Sequence, residues 1–257
     1  MNVFLMLSHD VVFKPTLLHN ILIRSDFKIV GVAEVLSNSK KSSFFKTIKF
    51  WGIKGFFYLL SIIIFKKLCS ACWLTPSILR NQSTIKRVCK YFSIPYQLVA
   101  DVNNKEFIHD IKVIKPDVIL SFQHQIFGKE LLNLDNSICI NCHPAALPCY
   151  RGVKPIFWAM LNNEKKLGIT VHTMNSDIDT GKIVYQLYYT NLPNTSLLQN
   201  YYKSYSLSVD AIIASIRKIT NSSQLDSLPV IDSSSPYYKA PSSSDLKKFK
   251  VAKLRIL

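Results

Sequence analysis

Three residues stand out by type and spacing. Asn141 and His143 open the run NCHPAALPCYRG at 141–152, and Asp179 lies in GITVHTMNSDIDTGKIV at 168–184. An amide N–H can hold a carbonyl oxygen, an imidazole can stabilise the oxyanion of a tetrahedral intermediate, and a carboxylate can take up a proton or tune the ring. Together they describe acyl transfer without a serine or cysteine nucleophile. Singly, each has an ordinary use: Asn141 as a turn residue, His143 as a satisfied polar group, Asp179 as the carboxylate of an Asx turn. The spacing changes the reading. In an extended segment Asn-x-His puts both side chains on one face, while Pro144 and Pro148 stiffen the exit. Gly181 can close a tight turn after Asp179. His172 reads either as a hydrogen-bond partner of Asp179 or as a plain core histidine.

The elements that must position these groups alternate between strand and helix. Val3–Leu7 and Phe27–Val35 read as buried strands around a helix from about Val12 to Arg24. From Ser83 the pattern predicts a helix near Thr84–Phe92, a strand at Tyr96–Val99, a helix at Lys105–Ile114 and the strand Val118–Phe122. A short helix at Lys129–Leu132 and the strand Ile138–Asn141 follow. Pro116 stops a helix ahead of a buried strand. Val153–Asn163 is a helix with Pro155 in its first turn. Ile169–Met174 and Ile183–Leu192 are strands joined by the loop 175–182, and Thr195–Ile219 is a long helix. The architecture is α/β, a doubly wound and mainly parallel sheet with a late strand pair and a helical C-terminal extension. Ligands bind beyond the carboxyl ends of strands in such sheets, where Asn141 and Phe122 lie. No GxGxxG follows the first strand, so the dinucleotide fingerprint is missing. The expected organisation is a catalytic domain over 1–192, with an apolar, Lys-flanked insertion at about 43–68, and a helix with a basic, Ser-rich tail over 193–257.

A chain of 257 residues with 48% apolar side chains and 7 Gly can build a sizeable core. Lys and Arg number 32 against 16 Asp and Glu, a net charge of +16. That surplus favours an anionic partner: nucleic acid, a membrane surface or a phosphate-bearing small molecule. The six cysteines at 69, 72, 89, 139, 142 and 149 are scattered, and MNVFLMLSHD lacks the basic region of a secretory signal. Both features read as reduced thiols in the cytoplasm. Cys69-x-x-Cys72 ends an apolar segment, which is a poor setting for a redox pair. Cys139, Cys142 and Cys149 lack a fourth zinc ligand and an assigned base, so no metal is expected. Ser8-His9-Asp10 either touches substrate phosphate or caps a helix.

The run FWGIKGFFYLLSIIIF at 50–65 carries one charge, Lys54. Its 16 residues fall short of the roughly 20 needed for a spanning helix. It is either a helix packed on the sheet or an interfacial helix whose flanking Lys46, Lys49, Lys66 and Lys67 face anionic lipid. The second reading places the protein at the inner face of the membrane.

Segment 137–190 resembles the catalytic core of the 10-formyltetrahydrofolate-dependent formyltransferases, which include glycinamide ribonucleotide, methionyl-tRNA and amino-sugar formyltransferases. The family pattern is an apolar strand ending Asn-x-His-Pro, then Leu-Pro, an aromatic, a basic residue and Gly, and later Gly-x-Thr-x-His and Asp-x-Gly-x-Ile. Here these are Asn141, His143, Pro144, Leu147, Pro148, Tyr150, Arg151, Gly152, Gly168, Thr170, His172, Asp179, Gly181 and Ile183; Ala145 stands where Ser is frequent. The resemblance implies a Rossmann-like core and an enzyme that takes its formyl group from 10-formyltetrahydrofolate. It further implies that Asn141 donates to the formyl oxygen, that His143 stabilises the oxyanion, and that Asp179 takes the amine's proton or tunes His143. Thr170 and His172 would support them. The pterin would lie along the backbone of His124, Gln125, Ile126 and Phe127 and against Asn175, Ser176, Asp177 and Ile178.

The resemblance also narrows the acceptor amine. Hydrolases of the group usually carry a second histidine where Pro144 stands. Arg151-Gly152-Val153-Lys154-Pro155 looks more like the tRNA and sugar branches, and the residues after Thr190 read as helix and Ser-rich tail rather than as the tRNA branch's β-barrel. The expected acceptor is a nucleotide-linked amino sugar in glycan biosynthesis. Methionyl-tRNA is the alternative within the family, though binding of nucleic acid is not expected. The alternative of another class is a non-catalytic, membrane-peripheral accessory protein on the same fold.

Overall fold

The structure is a computed structural model that describes residues 1–37, 43–71, 75–76, 81–221 and 227–257. Cys72, the middle of the Ser- and Lys-rich stretch after residue 37, and part of the Ser-rich stretch after residue 221 lie outside the described residues. Backbone contacts divide the chain into two compact units, Met1–Phe44 with Phe56–Ile140 and Phe45–Gly55 with Asn141–Leu257.

The first unit is built on β1 (Asn2–Ser8), β2 (Lys28–Val35), β3 (Tyr96–Val99) and β4 (Val118–Phe122). They run parallel in the order β3-β2-β1-β4. β1 and β4 are continuous apolar runs because they are covered on both faces. The crossovers are helical: α1 (Lys14–Arg24) returns the chain from β1 to β2, α3 (Ile85–Tyr91) precedes β3, and α4 (Lys105–Ile114) leads to β4. Order 3-2-1-4 is that of a doubly wound sheet, whose winding reverses between β1 and β4. Caps set the helix starts. Thr84 accepts from the Arg87 N–H, and Asn104 from the N–H groups of Glu106 and Phe107. The Asp10 carboxylate accepts from Val12 and Phe13 N–H at 2.7 and 2.6 Å, so Ser8-His9-Asp10 does close the approach to α1. The short helix α5 (Lys129–Leu132) precedes β5 (Ile138–His143), the strand on which the chain passes from the first unit into the second.

In the second unit β7 (Lys166–Thr173) and β8 (Gly181–Thr190) pair antiparallel, as the late strand pair requires, and β8 also pairs with β9 (Val230–Ile231). β6 (Arg151–Gly152) pairs with β10 (Tyr237–Tyr238). These two-residue strands in the tail carry no periodic signal, and sequence patterning did not anticipate them. α6 (Pro155–Leu161), α7 (Leu197–Asn221) and α8 (Ser243–Val251) complete the unit. Their core is aromatic: Phe249 of α8 stacks on Phe157 of α6 at 4.7 Å, and Tyr238 lies 5.3 Å from Tyr150 and 5.2 Å from Trp158.

The apolar insertion is helical. α2 (Ser43–Ala71) is kinked at Gly52, whose φ of 71° and ψ of 173° are not helical. Before the kink, Phe50 packs on Phe157 and Trp51 on Tyr201. After it, the rod continues past Phe65 to Ala71, because Lys66 does not end the helix: its Nζ donates to the Val12 carbonyl at 3.0 Å. The expectation that this segment is too short to span a bilayer therefore fails on length. Among the described residues, Ile48–Ala71 is long and apolar enough to cross a membrane by length and composition.

Candidate active site

β5 ends on Asn141 and His143, whose side chains share a face as the two-residue repeat requires. Asp179 comes from the turn between β7 and β8. Its φ of 52° lies in the left-handed region, which Asp tolerates better than most residues. His143 Nδ1 and Asp179 Oδ1 are 3.5 Å apart, with both side chains largely buried. The ring's other nitrogen fixes its tautomer. Nε2 lies 3.0 Å from the Tyr150 carbonyl, an acceptor only, so Nε2 carries the proton. Nδ1 of the neutral ring is then a lone pair facing a carboxylate oxygen, and one added proton turns the two into a charge-assisted pair.

Asp179 is itself fixed from its far side. Oδ2 accepts from Gly152 N–H at 2.7 Å, which leaves Oδ1 for the imidazole. Arg151, one residue earlier and buried, secures the loop. Its Nε and one terminal nitrogen donate to the Ile178 carbonyl at 3.1 and 2.8 Å, and the other terminal nitrogen donates to the carbonyls of Ser233 and Ser235 at 2.6 and 3.0 Å. A guanidinium fork therefore ties the Asp179 loop to the C-terminal segment. Sequence reading included Arg151 in the resemblance but gave it no role. Backbone carbonyl acceptors leave no trace in residue types, so nothing in the sequence signalled it.

His172 does not make the hydrogen bond to Asp179 that was one of its two readings: Nε2 stands 3.9 Å from Oδ1. Its Nδ1 lies 2.8 and 3.0 Å from the carbonyls of Thr173 and Thr180, and so bears the proton. Nε2 is left as an acceptor, and at 3.3 Å it takes an N–H of the Asn141 amide. Burial pushes the ring's pKa down, favouring this neutral form. His172 thereby turns the Asn141 NH2 group inward and leaves its second N–H for another acceptor.

Thr170, fully buried, holds the loop between Asn141 and Arg151. Its hydroxyl donates to the Ala145 carbonyl at 2.6 Å and accepts from Leu147 N–H at 3.1 Å. Gln186, absent from the expected site, donates to the Leu147 carbonyl and to the Thr170 hydroxyl at 2.7 and 2.8 Å. Gly168 is required by close approach, since a Cβ there would sit 2.6 Å from Ala146 Cβ. Gly152 and Gly181, at φ of 99° and 109°, would drive a Cβ to 2.4 Å from the Tyr238 carbonyl oxygen and 2.2 Å from that of Thr173.

The residues expected along a pterin fall in two places. Asn175, Ser176, Asp177 and Ile178 are exposed on the turn that carries Asp179. The Asn175 side chain caps that turn by accepting from Asp177 N–H and the Thr180 hydroxyl. His124, Gln125, Ile126 and Phe127 follow β4 in the first unit. There His124 and Ile126 are exposed, Phe127 is buried, and Gln125 donates to the carbonyls of Leu36 and Ala100 while accepting from Val102 N–H. The Gln125 side chain is thus spent inside the protein, and its backbone N–H and carbonyl are both hydrogen-bonded to the Gln123 side chain. Cys139 is buried, and burial pushes its thiol up to about 12. Among the described residues no three His, Cys, Asp or Glu side chains form a metal cage.

The arrangement offers one directed amide donor, an imidazole–carboxylate pair and an exposed turn beside them. Against known proteins, the sequence profile of the family described as formyl transferase matches residues 79–215. The methionyl-tRNA formyltransferase of Clostridioides difficile (strain 630) is 38% identical over 105 residues, which are 40% of this chain and 34% of that protein. The chain thus spans about a third of the length of that relative. Among solved structures, the phosphoribosylglycinamide formyltransferase of Bacillus halodurans is similar at a TM-score of 0.57 and 16% identity, covering 86% of this chain and 96% of that one. The sugar N-formyltransferase of Shewanella sp. FDAARGOS_354 is similar at 0.53 and 18%, covering 93% and 76%. At these identities the likeness to the solved structures is one of fold.

Proposed function

Because this chain belongs to the formyl transferase family, we propose that it moves a formyl group from 10-formyltetrahydrofolate to a primary amine. The observation that carries this reading is the meeting of His143 and Asp179 at 3.5 Å beside an Asn141 amide aimed by His172. The donor set suits the co-substrate, which supplies an activated formyl carbon. Asn141 has an N–H left for the formyl oxygen, and the exposed turn 175–178 offers a surface against which a pterin would lie. When an amine adds to that carbon, Asn141 donates to the oxygen that gains charge, and His143, once it holds the proton the amine sheds, stabilises it as an imidazolium. The amine must shed a proton, which Asp179 or the His143 lone pair can accept. The same proton can then pass to the departing nitrogen as the C–N bond breaks, so the site ends as it began.

For the acceptor, the reading is an amino sugar linked to a nucleotide. Its support is the fold likeness to the Shewanella sugar N-formyltransferase over 93% of this chain and the net charge of +16, which suits a diphosphate. The free thiols of Cys69, Cys89, Cys139 and Cys149 suit a reducing compartment, hence a cytoplasmic reaction. A second reading, methionyl-tRNA as acceptor, is favoured by the 38% identity to the clostridial enzyme.

One assay separates them. Purified protein is incubated with 10-formyltetrahydrofolate and either a panel of nucleotide-linked amino sugars or methionyl-tRNA, and tetrahydrofolate release and the formylated product are followed. Turnover with a sugar alone carries the first reading, and turnover with methionyl-tRNA alone the second. No consumption with any amine overturns both and favours a non-catalytic role.

A further inference from the structure

The second rod of α2 presents an apolar face to the outside. Phe57, Tyr58, Ile64, Phe65 and Leu68 are 46% to 63% exposed. Their spacing, 57-64-68 beside 58-65, draws a stripe along one side of a helix. The opposite side is packed: Leu59 is buried, and Lys66 is tethered to the Val12 carbonyl. The stripe is therefore held in place by its own docked side. A helix apolar on all sides belongs in a protein core or in lipid, yet only 17% of the most apolar stretch of Ile48–Ala71 is buried. A contiguous aromatic and aliphatic surface of this kind marks an interaction site.

Charge selects the occupant. Lys67 is exposed on the rod, Lys49 and Lys54 are exposed ahead of it in the chain, and the chain as a whole carries +16. Two copies meeting through this face would bring like charges together, whereas an anionic bilayer attracts lysines and receives the apolar stripe between them. Aromatic side chains such as Phe57, Tyr58 and Phe65 suit the boundary between headgroups and acyl chains. We propose that the rod Phe56–Ala71 docks the protein on an anionic lipid bilayer through Phe57, Tyr58, Ile64, Phe65 and Leu68. This assignment is independent of the formyl-transfer reading, since none of these residues belongs to the catalytic constellation.

The test is flotation of the full chain with phosphatidylcholine vesicles containing or lacking phosphatidylglycerol. Wild type should float with the anionic vesicles and much less with the neutral ones. The combined variant Phe57→Ser, Phe65→Ser and Leu68→Ser keeps the net charge and should bind at least about tenfold more weakly, with its thermal melt unchanged because the side chains are exposed. Lys54→Glu with Lys67→Glu, leaving the stripe intact, should erase the preference for phosphatidylglycerol. The proposal is overturned if wild type does not float, or if the serine variant floats as well as wild type, since the net charge alone would then account for binding. It is equally overturned if wild type sediments as a dimer that the serine variant turns into a monomer.

Discussion

The Asn141 amide nitrogen lies 3.3 Å from Nε2 of His172, a nitrogen that can only accept because the ring's proton is committed to the carbonyls of Thr173 and Thr180. One buried ring thereby decides which end of the Asn141 amide faces which neighbour. In a site whose proposed work is to hold a developing oxyanion, that orientation is the role the proposal gives His172.

Replacing Asn141 by Ala should lower turnover on the order of 10²-fold or more, the scale of losing one oxyanion donor. Steady-state kinetics with whichever acceptor turns over in the proposed assay measures it. A variant that formylates at the wild-type rate places the oxyanion elsewhere.

His172→Gln presents Asn141 with a side chain that can donate as well as accept, so the amide loses its directed orientation. The expected result is a fall in kcat of roughly ten- to a hundred-fold with KM nearly constant. The double variant with Asn141→Ala should be little worse than Asn141→Ala alone, because His172 acts through Asn141. Additive losses would assign His172 a separate task.

Arg151→Met removes four hydrogen bonds and strands the carbonyls of Ile178, Ser233 and Ser235. A loss of more than about 2 kcal/mol in a urea melt is expected, together with lower activity as the Asp179 loop loosens. Lys at this position cannot reproduce the fork and should recover less than half of the loss.

Gly152→Ala should destabilise by more than about 2 kcal/mol, combining left-handed strain with a Cβ placed 2.4 Å from the Tyr238 carbonyl oxygen. The same substitution disturbs the N–H that holds Asp179 Oδ2, so activity should fall further than stability does. Thermal melts and kinetics on the same preparation compare the two.

Two histidines bias stability in opposite directions with pH. The hydrogen bond to Glu34, reinforced by the charges of Glu34 and Asp10, raises the pKa of His9 above its ordinary 6.5. Its contribution is complete below pH 6.5 and is lost as pH rises through the folded value. Burial lowers the pKa of His172, so below pH 6.5 the unfolded chain takes up a proton that the folded one refuses, and stability falls as pH falls. Urea melts across the neutral range should show His9→Gln costing most on the acid side and nothing well above neutrality. If that cost is the same at every pH, the His9–Glu34 contact is only packing.

The residues of the candidate site were easy to single out because their signal is local. Asn-x-His at a strand end, and Asp before Gly in a turn, need only a two-residue repeat and a tight turn to be placed. The mainly parallel sheet was legible for a similar reason, since buried strands are short apolar runs between helices; its strand order β3-β2-β1-β4 came only from the structure. What escaped reading depends on the backbone. The anchor made by Arg151 ends on carbonyls, which every residue has, and β6, β9 and β10 are two residues long. The reach of α2 was misjudged because Lys66 and Lys67 looked like a terminus, whereas a carbonyl from residue 12 satisfies Lys66 inside the helix. The choice between the two readings of His172 turned on which nitrogen carries the proton, a matter of three-dimensional neighbours.

The strap from Arg151 to Ser233 and Ser235 has a consequence for biogenesis. Asn141, His143 and Asp179 leave the ribosome well before the peptide groups that brace their loop, so a nascent chain holds every reacting group yet lacks its finished geometry. Competence for chemistry should switch on abruptly, when the stretch through Tyr238 emerges and zips beside Gly152.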